Sequence, residues 1–212
     1  RPADPVDDEG RITLLLAAGP RTAAQLTAAM QISQPTLSRI VGRMNDSVTM
    51  YRVPGERTPR YGLLRQLPLG VPARQRIYRV LSNGSFAPFA EVSFLAGGAT
   101  LERLASGGTT YYEGLPPYMT FASPSGFLGR QLAQRAAQDL RFPSSLKDWG
   151  DEHRVAYLFT RGLNLPGNLI FGDTSFQAEM DLRRVAPTPA ARKAEHFLQV
   201  ATELRDAAQG SS

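Results

Sequence analysis

The third helical segment of the sequence opens on a run of short polar side chains that is followed by arginines. Residues 33–39 read Ser-Gln-Pro-Thr-Leu-Ser-Arg, and Arg43 follows four positions after Arg39. A glutamine such as Gln34 can pair with adenine through two hydrogen bonds, and an arginine can bind guanine or a phosphate. These residue types at this spacing therefore predict contacts with the bases and backbone of duplex DNA.

Other candidate contacts are hydroxyl groups near the start of the same helix and arginines on a hairpin that follows it. Hydroxyl groups at a helix N-terminus suit phosphates or base edges, and hairpin arginines can bind the backbone or the minor groove. The complete set of predicted DNA contacts is Ser33, Gln34, Thr36, Ser38, Arg39, Arg43, Arg52, Arg57 and Arg60.

The positive charge of the chain is concentrated where these residues lie. The 212 residues have a formal net charge of +5, and residues 10–66 hold eight arginines against two acids, Asp46 and Glu56. Residues 67–212 are nearly balanced, with fifteen basic and thirteen acidic side chains. A positive field confined to one module favours a polyanionic partner for that module.

Three helices and a hairpin are predicted to position the candidate contacts. Apolar residues recur at helical spacing in residues 12–16, 26–30 and 37–44, and Thr22 and Ser33 are suitable N-caps for the second and third helices. Residues 48–53 then alternate like a strand, Pro54-Gly55 provides a turn, and residues 60–63 can return antiparallel. This pattern predicts a winged helix-turn-helix.

Residues 22–44 also resemble the helix-turn-helix of bacterial regulators, with residues 33–39 similar to the opening of the recognition helix. The resemblance implies a domain that docks on double-stranded DNA. Some winged helices bind proteins instead, so a protein-docking role is the alternative for this module.

A second module of α+β class follows a short linker. Residues 76–81, 90–95 and 109–112 are predicted strands, and residues 129–140, 151–161 and about 189–208 are predicted helices. Asp151 and Glu152 are interpreted as charges at a helix N-terminus, and Trp149 as a core or interface residue. The predicted organisation is a winged helix in residues 1–66, a linker in 67–75, a second module in 76–185 and a C-terminal helical segment in 186–212.

The second module carries several spaced motifs of one family. Residues 112–130 read YEGLPPYMTFASPSGFLGR, and residues 146–149, 157–162 and 166–172 follow in the matching order. Over residues 76–180 the chain resembles the N-terminal subdomain of HipA-family serine/threonine kinases, and the winged helix in front resembles the YjjJ-type subgroup. The resemblance implies a β-rich subdomain that packs on a kinase core, and a role in toxin–antitoxin control.

The last residues resemble the start of the family's nucleotide-phosphate loop, which makes Gly210, Ser211 and Ser212 candidate cofactor contacts. ATP and Mg²⁺ are expected for a parent kinase, whereas this chain holds no catalytic residue that the resemblance can transfer. The chain does not begin with methionine, so it is expected to be part of a longer protein.

Composition excludes some functions and leaves others open. There is no cysteine, which removes thiolate metal sites and disulfides and favours a cytoplasmic location; no apolar run predicts a membrane helix. The predicted function is a DNA-binding regulatory segment of a HipA-like kinase, which acts with the kinase core in cis or in trans. A homodimer is among the expected assemblies. A free-standing adaptor or antitoxin that binds DNA and a separate kinase is the alternative. An enzyme that acts on DNA would need a metal-binding acidic cluster, and the sequence offers no convincing one.

Overall fold

The computed structural model describes residues 5–163, 165–184 and 202. The chain forms two compact units, Arg1–Gln177 and Ala178–Ser212. Seven α-helices and two antiparallel sheets lie within the described residues, which confirms the predicted α+β class. Gly210, Ser211 and Ser212 lie outside the described residues, and so does the helix expected at 189–208 except for Thr202.

The first three helices are α1 (Pro5–Ala17), α2 (Ala23–Met30) and α3 (Gln34–Arg43). Thr22 caps α2 in a capping box, since its hydroxyl accepts from the Gln25 N–H at 3.2 Å and the Gln25 side chain accepts from the Thr22 N–H at 2.9 Å. Ser33 caps α3 by accepting from the Thr36 N–H at 3.3 Å. Both predicted caps are therefore confirmed.

A three-stranded antiparallel sheet accompanies these helices. Its strands are β1 (Arg21–Thr22), β2 (Val48–Tyr51) and β3 (Arg60–Leu63), in the order β1-β3-β2. The predicted hairpin of β2 and β3 is confirmed, and Gly55 turns its loop with φ +86°. Strand β1 was not predicted, because two residues are too few to show an alternating pattern.

The three helices and the small sheet enclose one hydrophobic core. The side chains of this first core come from all three helices and from β2 and β3, so the helices and the hairpin are packed as one body. Its buried members are Ile12, Leu16, Ala23, Leu26, Met30, Leu37, Ile40, Met44, Val48 and Tyr61.

A five-stranded antiparallel sheet forms the second half of the unit. The strands are β4 (Arg74–Val80), β5 (Phe86–Phe94), β6 (Thr100–Leu104), β7 (Thr109–Tyr112) and β8 (Leu169–Phe171), in the order β7-β6-β5-β4-β8. Strands β4, β5 and β7 were predicted. Strand β6 was missed because its central residue is charged, and β8 because it has only three residues.

Four more helices follow in the chain: α4 (Pro117–Ala122), α5 (Gly126–Leu140), α6 (Asp151–Thr160) and α7 (Asp173–Arg184). Of these, α5 and α6 were predicted and α4 and α7 were not. Helices α4, α5 and α6 pack with one face of the five-stranded sheet around a second core, which includes Val92, Phe94, Met119, Ala133, Trp149, Val155, Leu158 and Phe171.

The expected linker, residues 67–75, contributes to the second core. Leu67 and Val71 are buried in it, and Pro68–Gly70 forms a 3₁₀ turn between them. A third cluster contains Tyr51 from the hairpin together with Leu95, Ala99 and Leu101 from the second half. None of the helices in residues 5–163, 165–184 and 202 has the length and hydropathy needed to cross a bilayer.

Candidate nucleic-acid interface

Helix α3 has one apolar side and one polar side. Leu37 and Ile40 are buried on the inner side, against the first core. The residues that α3 exposes to solvent lie on the opposite side, and they are Gln34, Pro35, Ser38, Arg39, Gly42 and Arg43. A helix anchored in this way keeps its outer side chains in a defined orientation, which contacts to base edges require.

The hydroxyl groups at the start of α3 are engaged within the helix. Ser33 Oγ and Thr36 Oγ1 are 2.9 Å apart, and Arg39 Nη2 donates to Thr36 Oγ1 at 3.4 Å. Among the described residues, no hydrogen bond uses the side chain of Gln34 or Ser38. Ser33 and Thr36 therefore shape the helix, whereas Gln34 and Ser38 are available to a ligand.

Arg43 joins the end of α3 to the first helix. Its Nε donates to Glu9 Oε1 at 2.9 Å, and both side chains are partly open to solvent. The guanidinium group is thus held by a carboxylate that the sequence analysis did not associate with it.

The hairpin arginines divide into one paired and two unpaired side chains. Arg60 forms a two-point ion pair with Glu56, with Nη2–Oε1 at 2.7 Å and Nε–Oε2 at 2.9 Å. The hydrogen bonds that Arg60 donates to Glu56 raise the pKa of Arg60 above its usual value. Arg52 and Arg57 are exposed and have no ion pair with any described residue. Both therefore present a free positive charge beside the hairpin loop.

The other side of the hairpin packs on the five-stranded sheet. Tyr51 at the end of β2 is buried, and its ring stacks on that of Tyr111 in β7 with centroids 5.8 Å apart and planes 6° from parallel. Burial raises the pKa of Tyr51, because the charged phenolate is poorly solvated there. The part of the hairpin around Tyr51 is therefore closed to a ligand, whereas Arg60, which pairs with Tyr51 across the strands, keeps 37% of its side chain exposed.

Two arginines of the sheet donate to the backbone of the hairpin and of the turn before it. Arg103 Nη2 donates to the Met50 carbonyl at 3.1 Å, and Arg74 Nη2 donates to the Asn45 carbonyl at 2.8 Å. Charged donors make stronger hydrogen bonds to carbonyls than neutral ones do. These guanidinium groups attach β2 and the turn between α3 and β2 directly to the second half of the unit.

A close backbone approach completes the contact. The Arg65 N–H donates to the Phe94 carbonyl at 2.8 Å, and Leu64 forms an isolated bridge with Leu95. A Cβ atom at Gly62 would lie 2.9 Å from Leu95 Cδ1, which is too close for a side chain without movement of Leu95. The absence of a side chain at Gly62 therefore allows β3 to approach the larger sheet.

A buried carboxylate lies on the helix-facing side of the larger sheet. Glu102 in β6 is almost fully buried and accepts hydrogen bonds from Tyr118 Oη at 2.7 Å and Tyr112 Oη at 3.2 Å. Burial, followed by the hydrogen bond to Glu102, raises the pKa of Tyr118. The two hydroxyl groups provide hydrogen bonds to a carboxylate whose burial without partners would be destabilising. The role of Glu102 is therefore structural.

An apolar surface patch lies where α4 ends and α5 begins. Phe121 and Phe127 are each 70% exposed and Leu128 is 65% exposed. A cavity of about 320 Å³ adjoins them and is lined by apolar side chains such as Leu132 and Leu165. Several large apolar side chains exposed together are typical of a surface that binds a partner.

The acidic residues at the start of α6 supply the negative charge that the sequence predicted there, but neither is the N-cap, which is Gly150. Asp151 and Glu152 lie in the first turn of the helix, where negative charge is favourable. Trp149 is buried in the second core, as predicted. His153 of α6 is half-buried, with its ring centroid 5.0 Å from that of Phe142. In the described part of the chain, His, Asp and Glu side chains nowhere form a cluster suited to a metal ion.

Residues 71–180 match the family model of the YjjJ-like toxin middle domain, so this chain belongs to the YjjJ-like toxin family. Toxin YjjJ of Escherichia coli (strain K12) is 31% identical over 193 residues, which is 91% of this chain and 42% of that protein. The chain thus spans less than half the length of that relative, and the similarity includes most of the residues before the middle domain. No solved structure matches the chain.

Sequence reasoning missed the partners of the candidate arginines. Glu9 lies in an acidic N-terminal stretch that gave no indication of a contact 34 positions away. Glu56 lies four positions before Arg60, a spacing that is usual for ion pairs on helices but has no such meaning in a hairpin loop. The contact between Tyr51 and Tyr111 had no local signal either, because it depends on how two sheets meet.

Proposed function

We propose that this chain is the DNA-binding regulatory segment of a YjjJ-type toxin protein. The observation that carries the proposal is the outer side of α3, where Gln34, Ser38 and Arg39 are exposed while Leu37 and Ile40 are buried behind them. The three helices, the short strand β1 and the β2–β3 hairpin correspond in order and pairing to a winged helix-turn-helix. Helix α3 would then be the recognition helix and the hairpin would be the wing.

The wing supplies the phosphate contacts in this proposal. Arg52 and Arg57 are exposed, whereas Tyr51 is covered by its stacking on Tyr111. DNA would therefore approach the wing from the side that carries these arginines. Contacts to phosphate depend strongly on salt and little on sequence, so the wing would provide affinity and α3 would provide selectivity.

The test is duplex DNA affinity across a salt series. Arg39→Ala is expected to weaken binding about 10-fold or more, in line with the 1–3 kcal/mol of a good base contact. Arg135→Ala is the matched control, because Arg135 is also an exposed arginine on a helix but lies on α5. Equal affinities for both variants, or no binding by the wild type at low salt, would reject DNA binding by α3. The first module would then be a protein-docking element.

The middle domain is proposed to dock on a HipA-like kinase core, in cis or in trans. The supporting observation is the apolar patch of Phe121, Phe127 and Leu128, which has no covering element among the described residues. ATP and Mg²⁺ would belong to that kinase core. Within this chain, the residues expected to open a phosphate loop, Gly210, Ser211 and Ser212, lie outside the described part of the structure, so the described residues carry no proposed nucleotide contact.

A toxin role for the whole protein is part of the same proposal, and it is supported by the name of the Escherichia coli relative. The free-standing adaptor or antitoxin remains the alternative arrangement, in which the kinase core is a separate chain. The two arrangements make the same prediction for α3 and differ only in how the kinase core is supplied.

A further inference from the structure

Two of the arginines at the proposed DNA interface are bound by carboxylates of the same chain. Arg43 is bound by Glu9, and Arg60 is bound by Glu56. Arg39, Arg52 and Arg57 have no carboxylate partner among the described residues. The interface therefore holds two kinds of arginine, free and neutralised.

The ion pairs are placed where they can open. The side chains of Arg43 and Glu9 are 49% and 39% exposed, and those of Arg60 and Glu56 are 37% and 40% exposed. Exposed ion pairs contribute little to stability, because water and salt screen them and two long side chains must be ordered. Neither pair is locked in a core, so each arginine can exchange one anionic partner for another.

A phosphate offers the guanidinium group the same kind of contact as a carboxylate. Both anions accept two parallel N–H hydrogen bonds from an arginine, and the Arg60–Glu56 pair already has this two-point geometry. A phosphate that uses the same N–H groups, Nε of Arg43 or Nε and Nη2 of Arg60, must therefore displace a carboxylate. The displaced carboxylate then lies close to the phosphate and repels it.

We propose that Glu9 and Glu56 compete with DNA phosphates for Arg43 and Arg60, and so hold the DNA affinity of this chain below the level that its arginines permit. The inference rests on the proposed DNA-binding function. It assigns to two acidic residues the role of lowering non-specific binding, while the free arginines and the polar residues of α3 remain available for a preferred site.

The first experiment measures the affinity of Glu9→Gln and Glu56→Gln for a random-sequence duplex between 50 and 200 mM salt. One added phosphate contact steepens the slope of log affinity against log salt by about 0.9, which corresponds to about 8-fold tighter binding at 0.1 M salt. Each variant is expected to approach these values. Asp46→Asn is the matched control, since it removes one exposed negative charge from the same module and Asp46 has no ion pair among the described residues.

The second experiment is a double-mutant cycle on each pair. Arg43→Ala is expected to weaken binding by less than about 2-fold in the wild type and by about 8-fold in the Glu9→Gln background, where the arginine has been released to a phosphate. The same pattern is expected for Arg60→Ala with Glu56→Gln. Because Glu56 lies in the hairpin loop, the Arg60–Glu56 pair tests the inference even if Glu9→Gln disturbs the contact between α1 and α3.

Three results separate the possibilities. Steeper salt slopes in both glutamine variants, with no change in Asp46→Asn, would support competition. Unchanged slopes in a chain that does bind duplex DNA, or tighter binding of the same size in Asp46→Asn, would overturn the inference and leave DNA binding intact. Absence of binding in every variant at 50 mM salt would overturn both the inference and the proposed function.

Discussion

Tyr51 of the hairpin and Tyr111 of the five-stranded sheet stack with their ring planes 6° from parallel and their centroids 5.8 Å apart. The pair joins the module that carries α3 to the middle domain, and Arg103 and Arg74 add hydrogen bonds to backbone carbonyls on the same side. The proposed wing is therefore supported from behind, and its position depends on residues 29 to 60 positions further along the chain.

Loss of the Tyr111 ring should destabilise the hairpin contact. Tyr111→Ala removes the stacking partner of Tyr51 and leaves a buried phenol facing a gap, so we expect the free energy of unfolding to fall by about 2–3 kcal/mol. Tyr111→Phe is the control, because it keeps the ring and the Tyr111 hydroxyl has no described hydrogen-bond partner. Chemical denaturation measures both variants. If they were equally stable, the stacking would not contribute.

The two serines of the α3 region should separate a structural role from a binding role. Ser33→Ala removes the N-cap that accepts from the Thr36 N–H, and should cost about 1 kcal/mol of stability. Ser38→Ala should leave stability within about 0.5 kcal/mol of the wild type, since Ser38 is exposed, and should weaken DNA binding instead. Thermal unfolding and DNA titration of both variants make the comparison. A stability loss in Ser38→Ala as large as in Ser33→Ala would contradict these assignments.

Alkaline pH should destabilise the fold through the tyrosines around Glu102. The pKa values of Tyr118 and Tyr112 are raised, chiefly by burial. Tyrosines in the unfolded chain ionise near pH 10. The folded state therefore binds these protons more tightly, and this contribution to stability is complete below pH 10 and is lost as the pH rises above it. We expect the unfolding free energy to fall above pH 10 by up to about 1.4 kcal/mol per pH unit for each tyrosine.

Tyr118→Phe tests which residue causes that dependence. The variant has no ionisable group at position 118, so its stability should decline less steeply above pH 10 than that of the wild type. At pH 7 it should be about 1–2 kcal/mol less stable, because Glu102 loses a hydrogen-bond donor. Denaturant titrations from pH 7 to 11 provide the data. Parallel pH curves for the two proteins would exclude Tyr118 as a source of the alkaline loss.

The apolar patch should tolerate a polar residue without loss of stability. Phe127→Ser exchanges a side chain that is 70% exposed, so we expect a change in unfolding free energy within about 0.5 kcal/mol. Its association with a separately expressed HipA-like kinase core should weaken at least about 10-fold, as for other aromatic anchors in interfaces. Gln134→Ser is the control, an exposed residue on the same helix. Equal association of the two variants would remove the patch from the proposed docking surface.

Local signals in the sequence were enough for much of the first module. The caps at Thr22 and Ser33 act within four residues, and the apolar spacing of α3 sets which side is buried, so each could be predicted from neighbouring residues. Strand β8 has three residues and pairs with β4, which lies about ninety positions earlier, so no local pattern could reveal it.

The side chains of the candidate site could be selected from the sequence. Which of its arginines are bound by a carboxylate could not. Arg39 and Arg43 look alike in the sequence, yet Arg43 is bound by Glu9 from another helix. Whether an arginine is free depends on tertiary contacts of this kind, which charge counts along the chain do not contain. The same reason explains why Tyr111, Arg103 and Arg74 were not recognised as supports of the hairpin.

The close approach at Gly62 bears on how this chain can be recombined with its relatives. Transfer of the first module to the middle domain of a relative would expose the Tyr51 ring. It would also leave the Met50 and Asn45 carbonyls without their guanidinium donors. Gly62 would then lie beside a surface that no longer fits it. The hairpin and the sheet behind it are therefore expected to be exchanged between relatives only as one unit. Within this family, exchange of the exposed residues of α3 alone would be a simpler route to new ligand selectivity than exchange of whole domains.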